Sequence, residues 1–367
     1  MDSRMDNREM SPSPPSYLVM TFGAKGVGDH VSCSSFVRNL AKNSPHAAID
    51  VGVFSPVGME LFKYNPHVRN IHMLDMEYLK VGGKYRCGEK ARYISSFRCL
   101  NYDTVYILGT KFRHAVFAFL IGAEKRIGYV NYRRGFLLTT KATEPLEKNI
   151  VERFLGLLTL DGLTVFDPTL ELFISEKEAA AVERVFSERG IGSTDRTISL
   201  APFAADMRRT WGLHRFWEIA DRLAEEGWRV LVFGSSSDRE LMRNVPLPQH
   251  PNIVDLTGKL TILETAAAIK KSAVFLGNDS GLGHIAGAVG TKALILGYYV
   301  TRTWYPLAPS VRTIIKEVGC TACNLNACTA NNDEVPRCFS SIGVKEVVKK
   351  LSEMLAENSS SQVSTRR

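Results

Sequence analysis

Four residues whose types suit phosphate chemistry fall in one segment, LGNDSGLGHIAGAVGTKALILG (276–297): Asp279, Ser280, Gly281 and His284. An apolar run breaks at Asn278-Asp279-Ser280-Gly281, and a helical pattern begins. Ser280 stands at the N-cap position, and the free N–H groups of the turn that follows form an anion site. Gly281 and Gly283 permit close backbone approach by a phosphate. His284, one turn in, faces the same side. The alternative is a routine strand-to-helix turn with a structural histidine.

A second segment, TFGAKGVGDHVSCSSFVRNLAKNSP (21–45), is a strand, a glycine loop and then Asp29 at a helix start. It has neither the G-x-x-x-x-G-K-[ST] nor the G-x-G-x-x-G order. Asp29 either caps the helix or accepts a proton from a hydroxyl. In APFAADMRRTWGLHRFWEIADRL (201–223), Arg208 and Arg209 follow a strand, where guanidinium groups suit a diphosphate. Downstream, VLVFGSSSDREL offers Asp238 and Glu240 either to ribose hydroxyls or to helix capping.

These loops need strands to hold them, and the rest of the chain supplies a regular alternation. Strands are expected at 17–22, 49–54, 68–74, 104–109 and 125–130, with helices at 30–43, 57–64, 112–121 and 146–160. After a charged helical stretch at 175–190 the pattern restarts. Strands are expected at 197–203, 228–234, 252–256, 273–278 and 292–297, and helices near 214–226, 261–271, 281–289 and 344–355. Such alternation predicts α/β architecture with parallel sheets: two Rossmann-like, doubly wound domains facing a cleft. In such sheets ligands bind at the carboxyl ends of the strands, which is where the four loops lie. Residues 1–16 and 358–367 read as disordered tails, 17–168 and 196–357 as the two domains, and 169–195 as their connection.

The chain has 367 residues, 45% hydrophobic and 23% charged, with a net charge of +8. That composition excludes a mainly disordered chain, and the modest basic excess suits an acidic partner. The longest apolar run, Ala115 to Ala123, is far short of the roughly 20 residues that span a bilayer. With no apolar core near the start, a cytoplasmic protein is expected. Residues 80–134 hold twelve Lys/Arg against three Asp/Glu. Lys84, Arg86, Lys90 and Arg92 within it form either a patch for an anionic acceptor or membrane surface, or a solvated face. No nucleic-acid motif accompanies them. Four of the seven cysteines are spaced as Cys320-x2-Cys323-x4-Cys328-x9-Cys338, in a segment 320–338. They form either a structural zinc site or free or reversibly paired thiols.

Together these motifs resemble glycosyltransferase family 9, the bacterial heptosyltransferases of lipopolysaccharide core assembly. The resemblance runs from about Tyr17 to Leu355 and rests on GVGDHV, NYDTVYILG, KRIGY, RRTWG, GNDSGLGHIAGAVG and CFSSIGVKEVVKKL. It implies a GT-B fold with an N-terminal acceptor domain and a C-terminal nucleotide-sugar domain. It further implies inverting transfer of a heptose, from ADP-heptose, to a lipopolysaccharide core or related glycan acceptor, with no catalytic metal or other cofactor. Work at the cytoplasmic face of the inner membrane, by transient surface contact, is implied as well. By position Asp29 resembles the family's base, Arg209 its phosphate-contacting lysine, and Asp279, Ser280, Gly281 and His284 its donor motif. Three features depart from the pattern: Ala204-Ala205 replace hydroxyl residues, GYYVTRTWYP replaces the usual G-P-T-x-P loop, and GVGDH carries one more glycine than the common form. The alternatives carried beside this reading are a sugar-nucleotide epimerase of the same fold and a non-catalytic nucleotide-sugar-binding protein.

Overall fold

A computed structural model describes residues 14–23, 26–130, 135–204, 209–298, 301–319 and 336–363. The first half contains β1 (Ser16–Met20), α1 (Val27–Val31), α2 (Ser34–Asn43), β2 (Ala48–Val53), α3 (Pro56–Phe62) and β3 (Asn70–Met73). A 3-10 turn at Met76–Leu79 leads to α4 (Cys87–Arg98), β4 (Thr104–Ile107), α5 (Phe112–Leu120), β5 (Lys125–Val130), β6 (Thr140–Thr143) and α6 (Ile150–Leu160). The second half begins at α7 (Glu176–Glu188), followed by β7 (Thr197–Ala201), α8 (Leu213–Glu225), β8 (Arg229–Val232), α9 (Asp238–Met242) and β9 (Ile253–Asp255). It continues through α10 (Ile262–Lys271), β10 (Val274–Asn278), α11 (Gly281–Ala288), β11 (Ala293–Gly297), α12 (Thr301–Trp304), β12 (Val311–Ile315), α13 (Arg337–Ser340) and α14 (Val344–Val363).

Among the described residues the strands form two sheets of six, ordered β3-β2-β1-β4-β5-β6 and β12-β11-β10-β7-β8-β9. Every pairing is parallel. Counted within each half, both sheets have the order 3-2-1-4-5-6 of a Rossmann unit. Their strand order therefore reverses between β1 and β4, and again between β7 and β10. A crevice opens at each switch because the two outgoing loops turn to opposite faces of the sheet. The central strands β4, β7, β10 and β11 are buried along their whole length, as sheets covered by helices on both faces require.

The expected fold is present, with local differences. The edge strands β6 and β12 were not expected, because TKAT and VRTII are half-exposed and carry a weak apolar signal. Helix α4 was also missed, since Phe97 is its only buried residue. The single helix expected at 30–43 is two. The chain tightens at Ser32–Cys33, where the Cys33 N–H donates to the His30 carbonyl at 3.1 Å and its thiol donates to the Asp29 carbonyl at 3.1 Å. Helix α14 continues to Val363, past the expected end at Leu355, since no glycine or proline interrupts it.

The largest buried cluster joins the halves: Val31, Phe36 and Tyr106 from the first belong to the same apolar core as Ala266, Ile285 and Ala286 from the second. Burial of this kind, at about 25 cal/mol per Å², is what holds the two sheets' carboxyl ends in apposition.

Candidate active site

The loop after β1 leads into α1, and Asp29 is its third residue. Asp29 Oδ2 accepts the Gly26 N–H at 3.0 Å, which fixes the carboxylate over the start of its own helix. Burial raises the Asp29 carboxyl above its ordinary value, opposed by the Gly26 N–H and by the Lys111 charge. Lys111 comes from the loop after β4, across the switch point, and its ammonium donates to the Gly23 carbonyl at 3.1 Å. Gly23 has φ +79, and a Cβ there would stand 2.5 Å from His114 Cε1. His114 is wholly buried, stacks on Phe54 at 4.8 Å and is held neutral by burial, its pKa lowered to about 3.

In the second half, β10 ends at Asn278. This residue is wholly buried, and its side chain holds the loop after β7: Oδ1 accepts the Trp211 N–H at 2.9 Å and Nδ2 donates to the Pro202 carbonyl at 2.6 Å. Trp211 in turn donates from Nε1 to the Ile342 carbonyl at 2.9 Å. Arg209 is carried on that clamped loop. It is exposed, with its guanidinium 5.6 Å from the centroid of the buried Tyr298 ring. Asp279 donates its N–H to the Leu296 carbonyl at 2.9 Å. Ser280 occupies the N-cap of α11 in extended conformation, and its hydroxyl makes no cap bond. The first-turn N–H groups of α11 are thus not capped by a side chain, in contrast to α10, where Thr261 accepts from Glu264.

The two helix starts meet. A Cβ on Gly281 would stand 2.5 Å from Val27 Cβ, and a Cβ on Gly28 would stand 2.8 Å from His284 Cδ2. His284 Nδ1 lies 3.2 Å from Ser32 Oγ, a buried bond from one half to the other. Burial keeps the His284 pKa below its ordinary value, opposed by the Asp279 charge. The segment after β11 also crosses over: Trp304 packs edge-on against Phe22 at 5.3 Å, and Asn149 donates to the Tyr305 carbonyl at 3.0 Å.

Asp29 is therefore brought beside the Ser280–His284 turn, and Arg209 is tied to it through Asn278. The other candidates lie apart from that contact. Asp238 Oδ2 closes the turn after β8 by accepting from Ser235 N at 2.7 Å and Ser235 Oγ at 2.8 Å. Glu240 pairs with Arg243 at 2.6 Å on the exposed α9. Lys84 stands 3.8 Å from Asp75, and Lys90 donates to the Lys80 carbonyl. Arg86, the N-cap of α4, and Arg92, midway along that helix, are both exposed. Arg208 and the cysteines at 320, 323 and 328 lie outside the described residues, so the thiol cluster is not described. Among the described residues no three His, Cys, Asp or Glu side chains are grouped to hold a metal ion. Ser32, Asn278 and Tyr298 were not singled out in the sequence. The only signal for them is position beside a recognised motif.

The family description "Glycosyltransferase family 9 (heptosyltransferase)" matches residues 91–333. The chain belongs to that family. It is a glycosyltransferase, which sets aside the epimerase and the non-catalytic alternatives. Lipopolysaccharide heptosyltransferase 2 of Escherichia coli K12 is 27% identical over 76% of this chain and 82% of its own. Lipooligosaccharide heptosyltransferase 2 of Haemophilus influenzae is 24% identical over 81% and 88%. The E. coli ADP-heptose lps heptosyltransferase II structure superposes with a TM-score of 0.75 at 24% identity, covering 94% of this chain and 99% of that one. A family 9 structure from Veillonella parvula gives 0.80 at 21%, covering 95% and 99%. The fold is thus GT-B.

Proposed function

We propose that this glycosyltransferase moves a heptose from ADP-heptose to a lipopolysaccharide core acceptor, with inversion at the anomeric carbon. The observation that carries the site assignment is the apposition of Asp29, on the first half's α1, to the uncapped N-terminus of α11 on the second. An acceptor hydroxyl held by the first half gives its proton to Asp29. Its oxygen bonds the anomeric carbon, and the bond from that carbon to the diphosphate oxygen breaks. The electron pair leaves with the nucleoside diphosphate. Arg209, the N–H groups at Ser280–His284 and His284 itself meet that charge, with Asp279 beside them. Asp238, whose Oδ1 has no hydrogen-bond partner among the described residues, suits a ribose hydroxyl; Glu240 suits it less because Arg243 pairs with it. Water excluded by the closed contact between the halves cannot hydrolyse the donor.

The membrane reading rests on charge. Among the described residues no helix is long and apolar enough to cross a bilayer. Lys84, Arg86, Lys90 and Arg92, just before and within the first half of α4, suit the phosphates of a glycolipid and transient contact with the anionic cytoplasmic face of the inner membrane.

The test is a panel of ADP-, GDP- and UDP-sugars, scored first by thermal shift and then by transfer to heptose-bearing core oligosaccharide. Stabilisation by ADP-heptose and acceptor-dependent release of ADP are expected. Preference for a UDP- or GDP-sugar, or no acceptor dependence, refutes the substrate assignment.

A further inference from the structure

Ser32 lies in the tight turn between α1 and α2, three residues after Asp29, and is wholly buried. A buried hydroxyl has one proton to donate, and leaving it without an acceptor is unfavourable. Among the described residues its only hydrogen-bond partner is Nδ1 of His284, at 3.2 Å. If Nδ1 carried the imidazole proton, the serine hydroxyl would be left facing a donor with no acceptor of its own. The arrangement that satisfies both groups has Ser32 donating and Nδ1 accepting. Burial disfavours the imidazolium, so the single ring proton then sits on Nε2.

Among the described residues Nε2 has no hydrogen-bond partner, although His284 is only 5% exposed. It borders Gly28: a Cβ on that residue would stand 3.1 Å from Nε2. The ring edge therefore opens at the contact between the Asp29 helix and the α11 turn, and not into the core.

We infer that Ser32, a residue of the acceptor half, is a positioning residue that fixes the tautomer of His284 in the donor half, so that a neutral Nε2–H points at the departing diphosphate. The inference rests on the donor-side reading of His284 given above and adds what sets its protonation. It also means that the donor half is chemically complete only when the first half is docked against it, because the group that orients its histidine comes from the other sheet.

The tautomer is read directly, without activity, from the imidazole 15N shifts of protein labelled at histidine, with His284→Gln giving the assignment. In the wild-type protein at pH 7.5, a protonated Nε2 and an unprotonated, hydrogen-bonded Nδ1 are expected. A protonated Nδ1 overturns the inference whether or not any variant folds. Ser32→Ala is expected to shift both signals toward a tautomer mixture and to lower kcat about tenfold, the loss of one positioned hydrogen bond. It should leave the acid limb of the pH–rate profile, set by Asp29, where it was. Ser32→Thr, which keeps the hydroxyl, is expected to recover the wild-type shifts and most of kcat. Wild-type turnover in Ser32→Ala overturns the role. Failure of the donor assignment is separate: it would show as no stabilisation of the wild-type protein by any nucleotide sugar, with the histidine shifts unaffected.

Discussion

Replacing Gly281 by alanine tests whether the contact between the two helix starts sets the reaction geometry. Its Cβ would be built 2.5 Å from Val27 Cβ, 3.0 Å from Val27 Cγ1 and 3.3 Å from the Gly28 nitrogen. Carbon atoms pack at about 3.5–4.0 Å, so the two helices must separate by about 1 Å. Val27 cannot swing away, since the clash is with its Cβ, which is fixed by the helix backbone. Overpacking of this kind costs about 1–3 kcal/mol and does not unfold a chain of this size. Catalysis should suffer more, because a displacement of about 1 Å between reacting groups costs on the order of 10²-fold. The expected result is a folded protein with slightly lowered Tm and kcat down by about 10²-fold. Gly88→Ala is the control. No atom lies within 4 Å of the Cβ added there, within α4, so its rate should be that of the wild type. Full turnover in Gly281→Ala would show that the α1–α11 contact does not set the distance between acceptor and donor.

Asp29→Asn should lower turnover by at least ~10²-fold with nucleotide binding retained. Because burial raises the Asp29 carboxyl, its stabilising contribution is present below the unfolded pKa and is lost as pH rises through the folded one. At neutral pH the charge is therefore a cost, so the Asn variant should melt no lower than the wild type. The wild-type rate should fall with acid at a pH above the ordinary aspartate value of 3.8, and a drop in Tm with near-normal turnover would reduce Asp29 to a helix-start residue. Arg209→Ala should weaken ADP binding, with Arg209→Lys restoring part of it, because charge matters before fork geometry; equal calorimetric affinities for wild type and Ala would remove the role. Charge reversal at Lys84, Arg86, Lys90 and Arg92 should abolish salt-sensitive binding to anionic vesicles and raise acceptor KM with donor affinity unchanged, at about 1 kcal/mol per charge near the surface; unchanged vesicle binding would leave a solvated basic face.

The alternation of apolar runs and amphipathic stretches was enough to predict two parallel-sheet halves, because strands buried on both faces and helices buried on one leave distinct periodicities. Ten strands expected from that pattern are present, and the ones missed, β6 and β12, lie at sheet edges where half-exposure removes the signal. The glycine-flanked Asp29 and the Asp279–His284 turn were legible as motifs because their chemistry is local: a cap, a carboxylate and a row of free N–H groups. What only the tertiary structure decided is their partnership. In sequence Gly281 reads as room for a phosphate to approach the backbone and Gly28 as part of a glycine loop, whereas the structure adds that neither puts a Cβ between two helices from different halves. Asn278 reads as part of a turn and acts as the clamp that holds the Arg209 loop. Ser32 carries no motif at all, and its hydroxyl reaches a histidine 252 residues away. Such contacts are invisible in sequence because periodicity reports which face of an element is buried, and not which element of the other sheet comes to bury it.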